Sequence, residues 1–204
     1  MAARPLHLLF AAPAAAIAAA VLFVTWVPTL PHEDTSIASR IGHEMARETL
    51  RLRNGSGRIL VLARDTSEFP QPAVESALGA FQSDLASASV RPDLLRRFAI
   101  DPLRVVQVPA GDFAEYLRRG KAGDVIVSFL GPPLLGEEQL SQLGTILPRV
   151  VAFCPGYLPR YLNLQLLRDR NLLHGGVVAR VDAAGTTFEG QYQTLAAALA
   201  APKP

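Results

Sequence analysis

Residues 57–72 read GRILVLARDTSEFPQP, and this stretch decides the fold. The unbroken apolar run ILVLA is typical of a β-strand that is buried on both faces. The strand runs into a turn that carries Asp65, Thr66 and Ser67, and Pro72 then begins a helical pattern. The stretch therefore predicts the first strand, loop and helix of a parallel α/β sheet.

The same alternation of short β-branched runs and helical patterns continues along the chain. It predicts an α/β domain of three layers around a mostly parallel five-stranded sheet, flavodoxin-like or Rossmann-like. The predicted strands are residues 58–63, 104–108, 124–130, 149–154 and 176–181.

The helix after the first strand is the most regular, because Val74, Leu78, Phe81 and Leu85 recur at helical spacing. The connection at residues 87–103 is longer than usual, and we expect a short extra helix at residues 92–98. Further helices are predicted at residues 112–119, 137–143 and 160–170. Near the end, VDAAGTTFEG suggests a hairpin and TLAAALAA a final helix.

An apolar segment lies near the amino terminus. Residues 5–27 contain no Asp, Glu, Lys or Arg, and residues 8–27 alone reach the roughly 20 residues that cross a bilayer. Arg4 lies at one end and Trp26 at the other, which orients the amino terminus towards the cytoplasm. We expect residues 6–27 to lie in the lipid bilayer of the cell membrane as a single-pass anchor, with the rest of the chain outside the cytoplasm.

A cleaved secretory signal is the alternative to an anchor. Such a signal is usually shorter and ends at a small-x-small cleavage site. The residues after the apolar segment, TWVPTLPHED, offer no convincing site. The length of the segment favours the anchor.

The sequence thus divides into three parts. Residues 1–30 are the transmembrane anchor, 31–57 a juxtamembrane helix and joint, and 58–204 the extracytoplasmic domain. Within the juxtamembrane helix, Ile37, Ile41, Met45 and Leu52 lie close to one face.

Composition argues against several classes of function. The chain has 20 Lys and Arg against 18 Asp and Glu, without the clustered basic surface that binding of nucleic acid requires. Its single cysteine forms no intramolecular disulfide and no Cys-rich metal site. The stretch HEMAR resembles the zinc-protease helix, but Arg47 takes the place of the second histidine. We expect neither a metal nor a cofactor.

Ligands of open α/β sheets bind at the carboxyl ends of the strands, where the strand order reverses. If the order is 2-1-3-4-5, the reversal lies between the first and third strands. Asp65, Thr66 and Ser67 would then bind a small polar ligand. Gly131, which has no side chain, would let the ligand come close to the protein backbone. The alternative, which we favour, is that Asp65 and Ser67 only form a turn and a helix cap.

Cys154 is the last residue of the fourth predicted strand, and His174 precedes the fifth. A nucleophilic cysteine needs a nearby base or positive potential, but one helix separates these two residues along the chain. We therefore expect Cys154 to be a buried structural thiol rather than a nucleophile.

Three segments, RILVLARD, GDVIVSFLG and PRVVAFC, together resemble one lobe of the periplasmic binding proteins. The resemblance covers most of the exported part and implies a Rossmann-like lobe. Those proteins bind sugars and similar small ligands between two lobes. This chain has the length for one lobe only, so no ligand residues are transferred.

These observations favour a membrane-anchored domain that binds another envelope component, such as an envelope protein, over an enzyme. The alternative is a small-ligand sensor or enzyme with its site at the carboxyl ends of the strands.

Overall fold

The computed structural model describes residues 34–53, 55–101, 106–156, 158–181 and 187–200. The predicted anchor at residues 6–27 lies outside these ranges. Within them, no helix has both the length and the apolar composition that crossing a bilayer requires.

Six strands form one sheet: β1 (Ile59–Arg64), β2 (Leu94–Phe98), β3 (Val125–Ser128), β4 (Arg149–Cys154), β5 (Gly175–Val181) and β6 (Thr187–Thr194). Their order across the sheet is β2-β1-β3-β4-β5-β6. The first five strands pair in parallel, and β6 pairs antiparallel with β5. The Rossmann-like, mostly parallel α/β fold is therefore confirmed, and so is the order 2-1-3-4-5. The predicted number of strands was wrong, because the sheet has six described strands and not five.

Seven helices are described: α1 (Ser36–Leu52), α2 (Pro72–Ser87), α3 (Ala110–Arg119), α4 (Glu137–Ser141), α5 (Leu158–Tyr161), α6 (Leu164–Asp169) and α7 (Leu195–Ala200). They lie on both faces of the sheet. Neighbouring residues of a central strand enter opposite cores: Val61 packs with α1 and α2, whereas Leu62 packs with α3, α6 and α7. We call the face of the sheet that α1 and α2 cover the α1 face. Burial on both faces explains why the central strands read as continuous apolar runs.

The prediction for the second strand was wrong. It is Leu94–Phe98, where we expected a helix, and residues 106–108 of the expected strand have no strand structure. Leu95 and Phe98 reach opposite cores, as residues three apart in a strand do. The spacing of the apolar residues suits a helix, but pairing with β1 overrides it. As an edge strand, β2 leaves Leu94 51% exposed, so its sequence lacks the apolar run of the central strands.

The sixth strand confirms the predicted hairpin near the end of the chain. β6 begins at Thr187 and pairs with β5 from Val177↔Thr194 to Val181↔Thr187, with an irregular register between Ala179 and Val181. It is followed directly by α7, the predicted final helix.

The helix that we called juxtamembrane, α1, packs in the core of the domain. Ile41, Met45 and Leu52 are buried, and the compact unit that contains the sheet begins at Asp34, ahead of the expected start at residue 58. α1 is seated closely on α2, because a Cβ added at Gly42 would overlap the carbonyl oxygen of Ala77.

Other helix boundaries differ from the predicted ones. α3 begins at Ala110 with Pro109 as its N-cap, so Asp112 lies in the first turn instead of capping. The helix predicted at residues 160–170 is two short helices, α5 and α6. The second of these is capped by Asn163, whose side chain accepts a hydrogen bond of 3.0 Å from the N–H of Leu166.

Candidate functional site

Asp65 lies where β1 ends, and its carboxylate bonds to its own loop. Its N–H donates to the carbonyl of Phe98 at 2.8 Å, which extends the pairing of β1 with β2. Its Oδ1 accepts from the N–H of Ser67 at 3.0 Å. This bond is the main cause that lowers the pKa of Asp65. The turn that we favoured is present, but the N-cap of α2 is Gln71, and no side chain caps it.

Thr66 is buried and belongs to a polar cluster with Glu75 of α2 and Arg97 of β2. Its hydroxyl donates to Glu75 Oε1 and accepts from Arg97 Nη1 at 3.3 Å. Arg97 also donates to both carboxylate oxygens of Glu75, at 2.6 and 3.2 Å. These bonds, first from Arg97 and then from Thr66, lower the pKa of Glu75 to about 2. The cluster ties the loop after β1 to its two neighbouring elements.

Gly131 follows β3 with a φ of +96°, a conformation that favours glycine. The space beside it is taken by the protein itself, since an added Cβ would lie 3.2 Å from Cδ1 of Leu158. The glycine is explained by its backbone conformation and by the contact with α5. Close approach of a ligand is not needed to account for it.

A small cleft of about 190 Å³ opens at this end of the sheet. The structure brings Asp65 and Ser67 together there, with Phe69 and Ile100 in its wall, but neither Thr66 nor Gly131 lines it. The four residues that we proposed as ligand contacts therefore do not share one cavity.

Cys154 is the last residue of β4, whereas His174 lies just before β5 and beside the start of β4. Cys154 is fully buried, and burial raises the pKa of its thiol to about 12. The N–H of Val150 donates to Nδ1 of His174 at 3.1 Å, which places the ring four residues before Cys154 along β4. Four residues of a strand span about 13 Å, well beyond hydrogen-bond distance. Burial also lowers the pKa of His174, so its ring is neutral. Cys154 is a structural thiol, as we expected.

A larger groove, of about 550 Å³, opens between α1 and the β5–β6 hairpin. We call it the α1–β6 groove. Its lining consists of Ile37, Arg40, Ile41, Glu44 and Arg47 from α1, Val177 and Arg180 from β5, and Gln191, Tyr192, Gln193 and Thr194 from β6.

The α1–β6 groove carries an excess of positive charge. Three arginines line it against one carboxylate, Glu44, whose two oxygens are held by Arg47 Nη1 at 2.7 and 2.9 Å. Arg40 and Arg180 are exposed, and within the described part of the chain neither forms an ion pair. Two guanidinium groups are therefore left to meet a ligand.

Arg180 lies where the register of the hairpin is irregular. Val177 packs on the α1 face and Val178 on the opposite face, so strict alternation would send Arg180 away from α1. Arg180 nevertheless lines the groove, at the position where β6 has extra residues between the pairs Ala179↔Tyr192 and Val181↔Thr187. Irregular pairing of this kind increases the local twist of the two strands.

The helical wall of the groove is held firmly in place. Ser39 shares a hydrogen bond of 2.7 Å with Ser76, and Nδ1 of His43 lies 2.8 Å from Asp84. At the end of α1, Arg149 Nη1 donates to the carbonyl of Leu52 at 2.6 Å. The groove therefore has one rigid wall, α1, and its floor is the edge of the sheet.

Sequence reasoning did not find this groove. Arg40 and Arg47 are seven residues apart, on the side of α1 next to its apolar face, and that spacing was the only local signal. Neither residue pointed to β6, which lies more than 140 positions further along.

Comparison with known proteins gave no match: no family model, no curated protein and no solved structure is similar to this chain. In the described residues, no three His, Cys, Asp or Glu side chains are grouped closely enough to hold a metal ion.

Proposed function

We propose that this chain is a membrane-tethered binding module of the cell envelope, which holds an anionic partner in the α1–β6 groove. The observation that carries the proposal is the pair of exposed arginines, Arg40 and Arg180, that line the groove without a carboxylate partner in the described ranges. The planar guanidinium group of arginine binds carboxylate and phosphate groups with two parallel hydrogen bonds.

The tether in this proposal is the apolar segment at residues 8–27. Its length matches the hydrocarbon core, and the charge of Arg4 favours a cytoplasmic amino terminus. The domain, whose strand order matches the flavodoxin-like type, would then lie outside the cytoplasm. A partner would be another component of the envelope.

Binding is favoured over catalysis by what the polar groups at the strand ends do. Asp65 holds the N–H of Ser67, and Thr66, Glu75 and Arg97 hold one another. These groups are engaged in structural bonds, whereas Arg40 and Arg180 of the groove form no ion pair in the described ranges. We therefore place the function at the groove.

Photo-crosslinking in native membranes tests this proposal. A benzophenone amino acid replaces Gln191, which is exposed in the groove, or the exposed Gln82 on α2 as a matched control. We expect a discrete adduct from position 191 and none from position 82.

The arginines provide the second arm of the test. The double variant Arg40→Gln, Arg180→Gln should abolish the adduct. The double variant Arg91→Gln, Arg168→Gln removes the same charge from exposed sites outside the groove and should keep it. An adduct that is indifferent to Arg40 and Arg180, or no adduct from position 191, would contradict the proposal.

A second candidate function is binding of a small polar ligand at the strand ends, in a sensor or an enzyme. The observation that favours it is the cleft of about 190 Å³ beside Asp65 and Ser67, with Phe69 56% exposed in its wall. A ligand at ten times its dissociation constant adds about 1.4 kcal/mol of stability. A thermal-shift screen of metabolites should then find a stabilising compound whose effect is lost in Asp65→Ala.

A further inference from the structure

The floor of the α1–β6 groove is the edge of a sheet. In the strand order that the described residues form, β6 is the last strand, and it pairs with β5 on one side only. Every second residue of an edge strand points its N–H and C=O away from its neighbour. The groove therefore borders the backbone of β6 as well as its side chains.

The groove is long enough for an extended peptide. On α1 its lining runs from Ile37 to Arg47, which is about 15 Å of helix. An extended chain advances about 3.3 Å per residue, so this length accommodates four to five residues. A single phosphate or carboxylate ion would contact only part of it.

The register of β6 limits where a peptide could pair. From Tyr192 to Thr194 the strand is in regular register with β5, and the irregularity begins beyond Ala179. Regular edge geometry is thus confined to the end of β6 that lines the groove. A bulge also ends strand pairing, which would fix the position of an added strand.

The charge of the groove selects the side chains of such a peptide. Arg40 and Arg180 are exposed, and the ion pair of Arg47 with Glu44 leaves the groove with a net positive charge. When a peptide lies along β6, every second side chain faces the side of the sheet on which α1 lies. Acidic residues at those alternate positions would meet the arginines.

We propose that the α1–β6 groove binds an extended acidic segment of a partner protein, which pairs with β6 as a seventh strand. This inference rests on the proposed function and deepens it by naming the partner. Main-chain hydrogen bonds to the short regular end of β6 would fix the direction and position of the segment, and the arginines would supply affinity and the selectivity for acidic residues.

The test uses the full chain in lipid nanodiscs and synthetic octapeptides, with binding followed by fluorescence anisotropy. The probe alternates glutamate and valine, which places all carboxylates on one face of a strand. A peptide of alternating glutamine and valine has the same shape without charge. Two further peptides carry N-methyl groups, on all valines or on all glutamates, so that each loses the donors of one edge.

We expect the glutamate probe to bind and the glutamine peptide to bind at least tenfold more weakly. Arg40→Gln and Arg180→Gln should each weaken binding of the probe about tenfold, the loss of one charge-assisted contact, while Arg91→Gln leaves it unchanged. One of the two N-methylated peptides should lose binding, and the other should keep it. Hydrogen exchange at Gln191–Thr194 should slow when the probe is bound.

Three results would overturn this inference and leave the proposed function to be judged by the crosslinking experiment alone. One is equal binding of both N-methylated peptides without slower exchange in β6, since the anion would then be held by side chains only. Another is failure of the glutamate probe to bind although position 191 forms its arginine-dependent adduct. An adduct at position 191 that consists of lipid would also overturn it, because the occupant would then be a headgroup.

Discussion

Replacing Gly42 with alanine tests whether α1 is seated on α2 as described. An added Cβ would overlap the carbonyl oxygen of Ala77 and lie 3.0 Å from the Cβ of Ala80. A backbone oxygen cannot rotate away, so the two helices must separate. Overpacking of this kind costs up to about 3 kcal/mol. The better helix propensity of alanine offsets about 1 kcal/mol. We expect Gly42→Ala to lower the free energy of unfolding by about 2 kcal/mol.

Gly79 is the matched control for this substitution. It lies within α2, and an added Cβ there would have no heavy atom within 4 Å. Gly79→Ala should therefore raise the free energy of unfolding by about 0.5–1 kcal/mol, because alanine loses less backbone entropy. The same substitution should thus lower the free energy of unfolding at position 42 and raise it at position 79.

The assay is urea unfolding of the full chain in detergent micelles. The only tryptophan, Trp26, lies in the predicted anchor, so far-ultraviolet circular dichroism is the suitable signal for the domain. If Gly42→Ala stabilised the protein as Gly79→Ala does, α1 could not be packed on α2 at this distance. The rigid wall of the α1–β6 groove would then be refuted with it.

Three other predictions concern the polar cluster, the thiol and the tether. Because Arg97 and Thr66 lower the pKa of Glu75 from 4.5 to about 2, ionised Glu75 stabilises the fold above pH 4.5, and this stability is lost as the pH falls towards 2. The Glu75 side chain is 46% exposed, so solvent screening leaves a stabilisation of about 1 kcal/mol. Glu75→Gln should lower the free energy of unfolding by that amount at pH 7 but not near pH 2. Equal stability of the variant and the unmodified chain in urea at pH 7 would contradict this. Burial raises the pKa of the Cys154 thiol from 9.0 to about 12, so the thiol should react with a thiol reagent about a thousandfold more slowly in the folded chain than in urea. Rapid labelling of the folded protein would show that the thiol is accessible. The full chain should stay in membranes during alkaline extraction, whereas a chain without residues 1–30 should be released; release of both would refute the anchor.

The central strands could be predicted from the sequence because they are buried on both faces. A residue such as Val61 or Ile126 has no polar alternative, so an apolar run and a strand coincide. The edge strands do not follow this rule. Among the described strands β2 lies at the edge of the sheet and carries two arginines, and its apolar residues fit a helix as well. Only pairing with β1 decides between a strand and a helix here, and β1 lies more than 30 positions earlier in the chain.

The candidate sites show the same limit. The turn at Asp65 was predictable, since an Asp and a Ser two residues apart form such turns in any context. The partners of Thr66 were not, because Glu75 and Arg97 lie 9 and 31 positions away. The α1–β6 groove requires still more distant neighbours, from the first described helix and the last strand.

The existence of the groove follows from the widths of the two layers. Helices pack about 8–10 Å apart, so α1 and α2 together cover about 20 Å of the sheet. Six strands about 4.8 Å apart make a sheet about 29 Å wide. The difference is about two strands, and because α1 packs mainly over β4 and β5 and only touches β6, the strip that α1 covers least includes β6. Tyr192 packs on Phe153 at the inner side of this strip, with ring centroids 5.6 Å apart. A sheet extended beyond its helices must be covered by another element or offer its edge to a partner, and the arginines along this strip favour an acidic partner.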